Sequence, residues 1–181
     1  MAYSPSIFFL LSTKLFLILL FAHTHVKADL NAAPTPQLTF QLFFHEYSKP
    51  PNATIIKVAT SQSNSSSRFG DIDVIDYKVT NGQNPDTLEV GRLQGIVVRA
   101  STTASDDHVS ATLVFSNGEW NRSSLSLLGT IKASEKVNEF AIVGGTRMLQ
   151  FARGYAQFTF VSTNATSGIS TGALKVFISI N

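Results

Sequence analysis

The sequence predicts an all-β domain, and three observations predict it. Apolar and polar residues alternate in runs of five to eleven residues, the period of a strand with one buried face. Clusters of Gly, Pro, Asn, Asp and Ser, the residues that favour turns, separate those runs. No segment sustains the 3.6-residue period of an amphipathic helix. Many short strands with this punctuation build either a β-sandwich or a β-barrel, and the alternation serves both equally. A closed barrel would leave no exposed strand edge.

The first run, Leu38–Tyr47, reads LTFQLFFHEY. Side chains alternate along a strand, so Leu38, Phe40, Leu42, Phe44 and Glu46 share one face and Thr39, Gln41, Phe43 and His45 the other. Lys49-Pro50-Pro51-Asn52 ends it, and a second run covers 54–60. A serine-rich turn at 61–67 leads to the third run at 72–79. The polar cluster at 81–86 precedes the fourth at 90–100, and Ser105-Asp106-Asp107 precedes the fifth at 109–115. Asn117-Gly118 is a hairpin signal, Trp120 beside it reads as a packing residue, and the sixth run is Ser124–Ile131. The seventh, at 139–143, meets Gly144-Gly145-Thr146, which reads as a turn, before the eighth at 151–161. A polar stretch at 163–172 separates the last run, 173–180. No repeat or linker divides these elements, so residues 38–181 are expected to form one domain. Residues 29–37, with two prolines, are expected to form a flexible arm.

Residues 1–28 read as a secretory signal peptide. LFLILLFA at 15–22 is its apolar core, and Val26-Lys27-Ala28 places small residues where a signal peptidase cleaves, before Asp29. Ser12, Thr13 and Lys14 break the apolar run, leaving it too short for a bilayer of about 30 Å. Removal of Lys14 and Lys27 brings the 14 Lys+Arg down to match the 12 Asp+Glu, so no basic surface points to nucleic acid. The remaining chain is long enough to bury a core without cross-links, and it has no cysteine. Stability must then come from packing or oligomerisation, and thiol chemistry is excluded. Four N-x-S/T sequons, at Asn52, Asn64, Asn121 and Asn164, lie in or beside polar turns and predict a glycosylated surface.

Glu46 continues an apolar face. Inside or at the mouth of a barrel it would be desolvated, which raises a carboxyl pKa and suits general acid chemistry; at a plain strand end it would be solvated. Phe151, Arg153 and Tyr155 share one face, where the Arg either stacks between aromatics and holds an anion or phenolic oxygen or pairs with a structural carboxylate. Asp76, in the third run, is a site candidate or a turn-fixing group. His45 and His108 are far apart, with no metal-ligand spacing, so no metal site is expected. There is no nucleophile elbow or phosphate loop either.

Four segments, in order, carry a family resemblance: FFHEY at 43–47, FGDIDVIDYKVT at 69–80, VGRLQG at 90–95 and AIVGGTRMLQFARG at 141–154. Together they resemble the plant dirigent proteins across nearly the whole exported chain. The resemblance implies an eight-stranded antiparallel β-barrel of the dirigent, allene-oxide-cyclase-like kind, and a homo-oligomer, trimer or dimer. It implies a secreted, apoplastic protein of lignan and phenylpropanoid biosynthesis and plant defence. Such a protein holds a phenolic ligand and imparts stereoselectivity on the coupling of phenoxy radicals from monolignols. An external oxidase or peroxidase supplies the radicals, and the barrel needs no cofactor; the physical warrant is fixed proximity and orientation. Some relatives instead catalyse eliminations or cyclisations of flavonoid-type substrates through a quinone methide, as dehydratases or cyclases.

The resemblance carries catalytic roles to Glu46, where the family has aspartate, and to Arg153. It makes Phe44, Asp76, Val98, Met148, Phe151 and Tyr155 the candidate ligand contacts, whereas Arg92 and Gln94 read as structural. Two departures stand out. Met148 takes the place of the family's acidic residue after the Gly-Gly-Thr, and Ile96, Val97 and Val98 occupy a segment that carries tyrosines in the family. The expectation is a pocket with one acid and adaptable apolar lining. A non-catalytic apoplastic binding barrel is the reading from a different class.

Overall fold

The computed structural model describes residues 37–61 and 67–180. The expected signal peptide, the expected arm up to residue 36, and Asn64 lie outside the described residues. The elements follow in the order β1 (Leu38–Tyr47), β2 (Ile55–Ala59), β3 (Ile72–Thr80), β4 (Glu89–Arg99), β5 (Asp107–Phe115), β6 (Ser124–Ile131), β7 (Val137–Thr146), a 3-10 turn (Arg147–Leu149), β8 (Arg153–Asn164) and β9 (Ile169–Ser179).

They form one sheet in the order β1-β9-β8-β7-β6-β5-β4-β3-β2, and a further β1–β3 pairing closes it. Two strands share one edge of β3. β1 sets Phe43 opposite Thr80 and His45 opposite Lys78, and β2 continues with Ile55 opposite Ile75 and Ala59 opposite Ile72. Between them the Asp76 N–H donates to the Thr54 carbonyl at 2.9 Å, and the Thr54 N–H to the Tyr47 carbonyl at 2.8 Å. β1 and β2 thus make one interrupted wall strand from which residues 48–53 loop out. The result is a closed eight-stranded antiparallel barrel.

The inward positions are those that alternation assigns. Leu42, Ile75, Tyr77, Leu93, Val109, Ala111, Leu113, Leu125, Leu127, Ile142, Ala156 and Val176 are buried. Phe40 lies 4.7 Å from Trp120 and 6.4 Å from Phe115, centroid to centroid, and this aromatic cluster packs against the core near the start of β1 and the end of β5. On the outer wall Ile56, Val74 and Ile96 stand side by side across β2, β3 and β4. They are 58%, 42% and 42% exposed, an unusual run of apolar surface.

Two boundaries differ from the sequence expectation. β7 runs straight through Gly144-Gly145-Thr146, with Gly145 opposite Leu125. The glycine there serves close approach, since a Cβ on Gly145 would sit 2.2 Å from the Leu149 carbonyl oxygen. The reversal falls later, where Arg147 and Phe151 take positive φ values of 53° and 66° around the fully buried Leu149. The β8–β9 hairpin is also longer, because the pairs Thr163–Ser170 and Asn164–Ile169 still lie in register; Thr163 and Asn164 are both exposed, so no apolar alternation marks the end of β8.

Candidate functional site

A cavity of about 440 Å³ occupies the barrel interior. Ile75, Leu93, Val109, Ala111, Leu127 and Leu174 give it apolar walls, with the rings of Phe44, Phe140 and Phe158. Phe44 stacks on Tyr77 at 5.5 Å and 11°, and packs against Phe158 at 5.6 Å. Gly172 makes room for that ring, because a Cβ there would fall 2.3 Å from the Phe44 Cζ. Six charged side chains also face the cavity: Glu46, Lys57, Arg68, Asp73, Arg99 and Asp107. No three His, Asp or Glu side chains among the described residues converge closely enough for a metal ion, so the carboxylates are spread around the wall.

Glu46 lines the cavity from β1. Its Oε2 accepts a hydrogen bond from the Tyr77 hydroxyl at 2.9 Å. Burial pushes the Tyr77 phenol far above its ordinary range, and the charges of Glu46, Asp73 and Asp107 add to that. Tyr77 therefore stays protonated and acts as a fixed donor to Glu46. Lys57 forms an ion pair with Asp71 at the rim, and Asp71 also accepts the Ser61 N–H at 2.8 Å.

Asp107 and Arg99 stand opposite each other across β5 and β4. Arg99 Nε lies 2.9 Å from Asp107 Oδ1, with Asp107 18% exposed. The contact is ionic only: the buried Arg99 Nε–H has no hydrogen-bond partner, while Arg99 Nη1 donates to the Ser105 carbonyl at 3.0 Å. Burial raises the Asp107 pKa; Arg99 and Arg68 oppose that rise, and Asp73 and Asp106 reinforce it.

Of the residues proposed from sequence, Phe44 and Glu46 are together at the cavity. The others are not among its lining. Asp76 points to the outer wall, where its Oδ1 accepts from Arg92 Nε at 2.9 Å and Gln94 Nε2 at 3.2 Å; the Arg92 hydrogen bond holds its carboxyl below the usual range. Val98 alternates outward with Ile96, and its neighbour Val97 lines the cavity instead. Met148 and Phe151 are 62% and 67% exposed at the β7–β8 end, away from the β4–β5 end that holds Arg99 and Asp107. Arg153 is exposed and donates to the Val143 and Ala152 carbonyls at 2.8 and 3.1 Å. Tyr155 shares its outward face and stacks on Phe177 at 4.6 Å, because the inward places on this stretch of β8 belong to Gly154 and Ala156.

The cavity therefore holds three carboxylates where the sequence reading counted one acid. Asp107 was passed over as part of a turn. The signal that finds it is parity, since it shares a face with Val109, Ala111, Leu113 and Phe115. His45, on the opposite face from Glu46, is fully buried. Thr80 Oγ1 donates to the Gly82 carbonyl at 2.7 Å, so it accepts from His45 Nε2–H, also at 2.7 Å. Burial and Lys78 lower the His45 pKa, and the neutral ring ties β1 to β3 and, through Thr171 at 3.2 Å, to β9. Asn52, Asn121 and Asn164 are exposed.

A family model described as Dirigent-like protein matches residues 37–179. Pterocarpan synthase 1 of Glycyrrhiza echinata is 36% identical over 75% of this chain and 74% of its own length. Dirigent protein 21 of Arabidopsis thaliana is 32% identical over 96% and 98%. A solved pterocarpan synthase dirigent protein superposes with a TM-score of 0.72 at 31% identity, covering 83% of this chain and 91% of the other.

Proposed function

The chain belongs to the dirigent family, and from that premise we propose that its barrel takes a flat phenolic ligand into the cavity and carries out an elimination through a quinone methide, as a dehydratase or cyclase. One observation carries this reading: a carboxylate, Glu46, faces an apolar, aromatic-lined cavity and is held there by the buried Tyr77 hydroxyl. That arrangement aims a proton acceptor at a phenol, which is acid–base chemistry on a single ligand. The reaction is redox-neutral and uses no cofactor. The relatives that carry the name pterocarpan synthase support an enzymatic role over a purely auxiliary one.

The second reading is stereoselective coupling of monolignol radicals made by an external oxidase or peroxidase. What favours it is the set of aromatic walls, Phe44, Phe140 and Phe158, against which two flat rings can be held in one relative pose. In either reading the protein works in the apoplast after export on the 1–28 signal, with sugars on its exposed sequons. The apolar outer strip of Ile56, Val74 and Ile96 supports a homo-oligomer, trimer or dimer.

The test is product formation with and without oxidant. Purified mature protein is incubated with a phenolic flavanol whose benzylic hydroxyl lies para to the phenol, and separately with coniferyl alcohol plus a one-electron oxidant. Loss of water without oxidant, abolished in Glu46→Gln, supports the elimination. Enantiomeric excess only in the oxidised mixture supports coupling instead. Tight ligand binding without product in either mixture refutes both and leaves a binding barrel.

A further inference from the structure

The elimination needs two proton transfers, and Glu46 supplies one. We propose that Asp107, positioned by Arg99, is a second proton-transfer carboxyl of this cavity and delivers the proton to the departing hydroxyl of the ligand. The inference rests on the elimination reading and deepens it.

The geometry is as follows. Asp107 opens β5 and faces the same cavity as Glu46, three strands away around the wall by way of β3 and β4. A ligand in the cavity is thus flanked by both. Tyr77 lies within electrostatic reach of both carboxylates, which places them around one volume. A purely structural Arg–Asp pair would align donor with acceptor. Here the buried Arg99 Nε–H, although 2.9 Å from Oδ1, completes no hydrogen bond. Arg99 anchors through Nη1 to the Ser105 carbonyl, and its Nε, 2.9 Å from Asp107 Oδ1, holds the carboxyl at the cavity wall. Its surroundings favour the acid form. Burial raises it, Asp73 and Asp106 raise it further, Arg99 and Arg68 hold it back, and its β6 partner Ile131 carries no charge. Lys57, also on the cavity, is engaged by Asp71.

The step balances. The ionised Glu46, already accepting from Tyr77, takes the proton of the ligand phenol. The acid form of Asp107 protonates the benzylic hydroxyl, the carbon–oxygen bond breaks, and water leaves. The phenolic electron pair moves through the ring to form the quinone methide. When a second ligand hydroxyl adds to that carbon, its proton goes to Asp107, and Glu46 returns its proton to the phenolic oxygen. One water is lost and nothing is oxidised. Asp107 takes over the acidic task that Met148, exposed at the far end of the barrel, does not supply.

The test uses the full mature chain and the same flavanol without oxidant. Asp107→Asn is expected to lower turnover by about 100-fold or more, with ligand affinity by calorimetry within about threefold of the parent. Asp107→Glu is expected to recover part of the rate. Turnover of the parent should fall as pH rises through the Asp107 titration. Arg99→Gln removes a cation that lowers that pKa, so the falling limb moves to higher pH. If the parent turns the flavanol over and Asp107→Asn does so equally well, Asp107 is refuted and the elimination stands. If the parent has no turnover, the elimination itself fails, and the proposal with it. Should Asp107→Asn not fold, by circular dichroism, the Arg99→Gln profile decides: an unmoved limb overturns the proposal.

Discussion

Replacing Tyr77 by Phe removes one oxygen and leaves the ring. Tyr77 is 6% exposed, stacks on Phe44 at 11°, and donates to Glu46 Oε2 at 2.9 Å. A hydrogen bond to a charged group contributes about 1.5–3 kcal/mol. Glu46 faces an open cavity rather than packed core, so water can replace the lost donor, and the net destabilisation should be nearer about 1 kcal/mol. For a domain of this size that is a fall in Tm of roughly 2–4 °C, readable by thermal melts followed by circular dichroism. The effect on function should be larger than the effect on stability. Without its donor the Glu46 carboxylate is free to rotate, and misplacement of a reacting group costs up to about 100-fold in rate. The expected outcome is therefore a kcat at least about tenfold lower, with KM little changed. A Tm loss above about 10 °C would mean that the hydroxyl supports the fold rather than Glu46. An unchanged kcat would refute the claim that Tyr77 aims the carboxylate.

Two further outcomes are expected. Lys57 first, and the Ser61 N–H next, depress the Asp71 carboxyl below its usual 3.8, so this group adds stability above that pH and loses it as pH falls through the folded-state value. Asp71→Asn should lower the urea midpoint at neutral pH, and the gap to the parent should close below pH 3.8; a gap independent of pH would exclude the ion pair as its cause. Ile96→Lys puts a charge into the outer apolar strip, and light scattering after gel filtration should show a smaller assembly with an unchanged far-ultraviolet spectrum; an unaltered mass would remove that strip from any subunit contact.

The strands were legible because alternation is a strong signal wherever one face is buried, whereas their closure into a barrel rested on the family resemblance. β1 and β6 begin and end where the pattern does. The pattern failed where both faces are alike: the glycines of β7, of which Gly145 is pressed by the Leu149 and Ser124 carbonyls, and the polar rim of β8 and β9. In the site, parity identified the face of Glu46 but was not carried across to Asp107, whose two neighbours Ser105 and Asp106 suggested a turn. Along β8 the alternation separates Arg153 and Tyr155 from Gly154 and Ala156 without saying which set is inside. The aromatic set is outside, because Tyr155 finds its partner in Phe177 on the outer wall. Motif similarity brought attention to Met148 and Arg153, yet of the charged lining only Glu46 and Asp73 lie in the segments that carry it, and Lys57, Arg68, Arg99 and Asp107 join them through the closure of the barrel.

The two rims of this barrel are built by different hairpins. Arg99 and Asp107 come from the β4–β5 end, whereas Met148, Phe151 and Arg153 come from the β7–β8 end. Strands of nine to eleven residues lie between, which at about 3.3 Å per residue exceeds the roughly 10 Å within which substitutions usually couple. The chain therefore has two evolutionary workbenches on one frame. New side chains tried at one mouth should therefore combine additively, in their effect on stability, with those kept at the other.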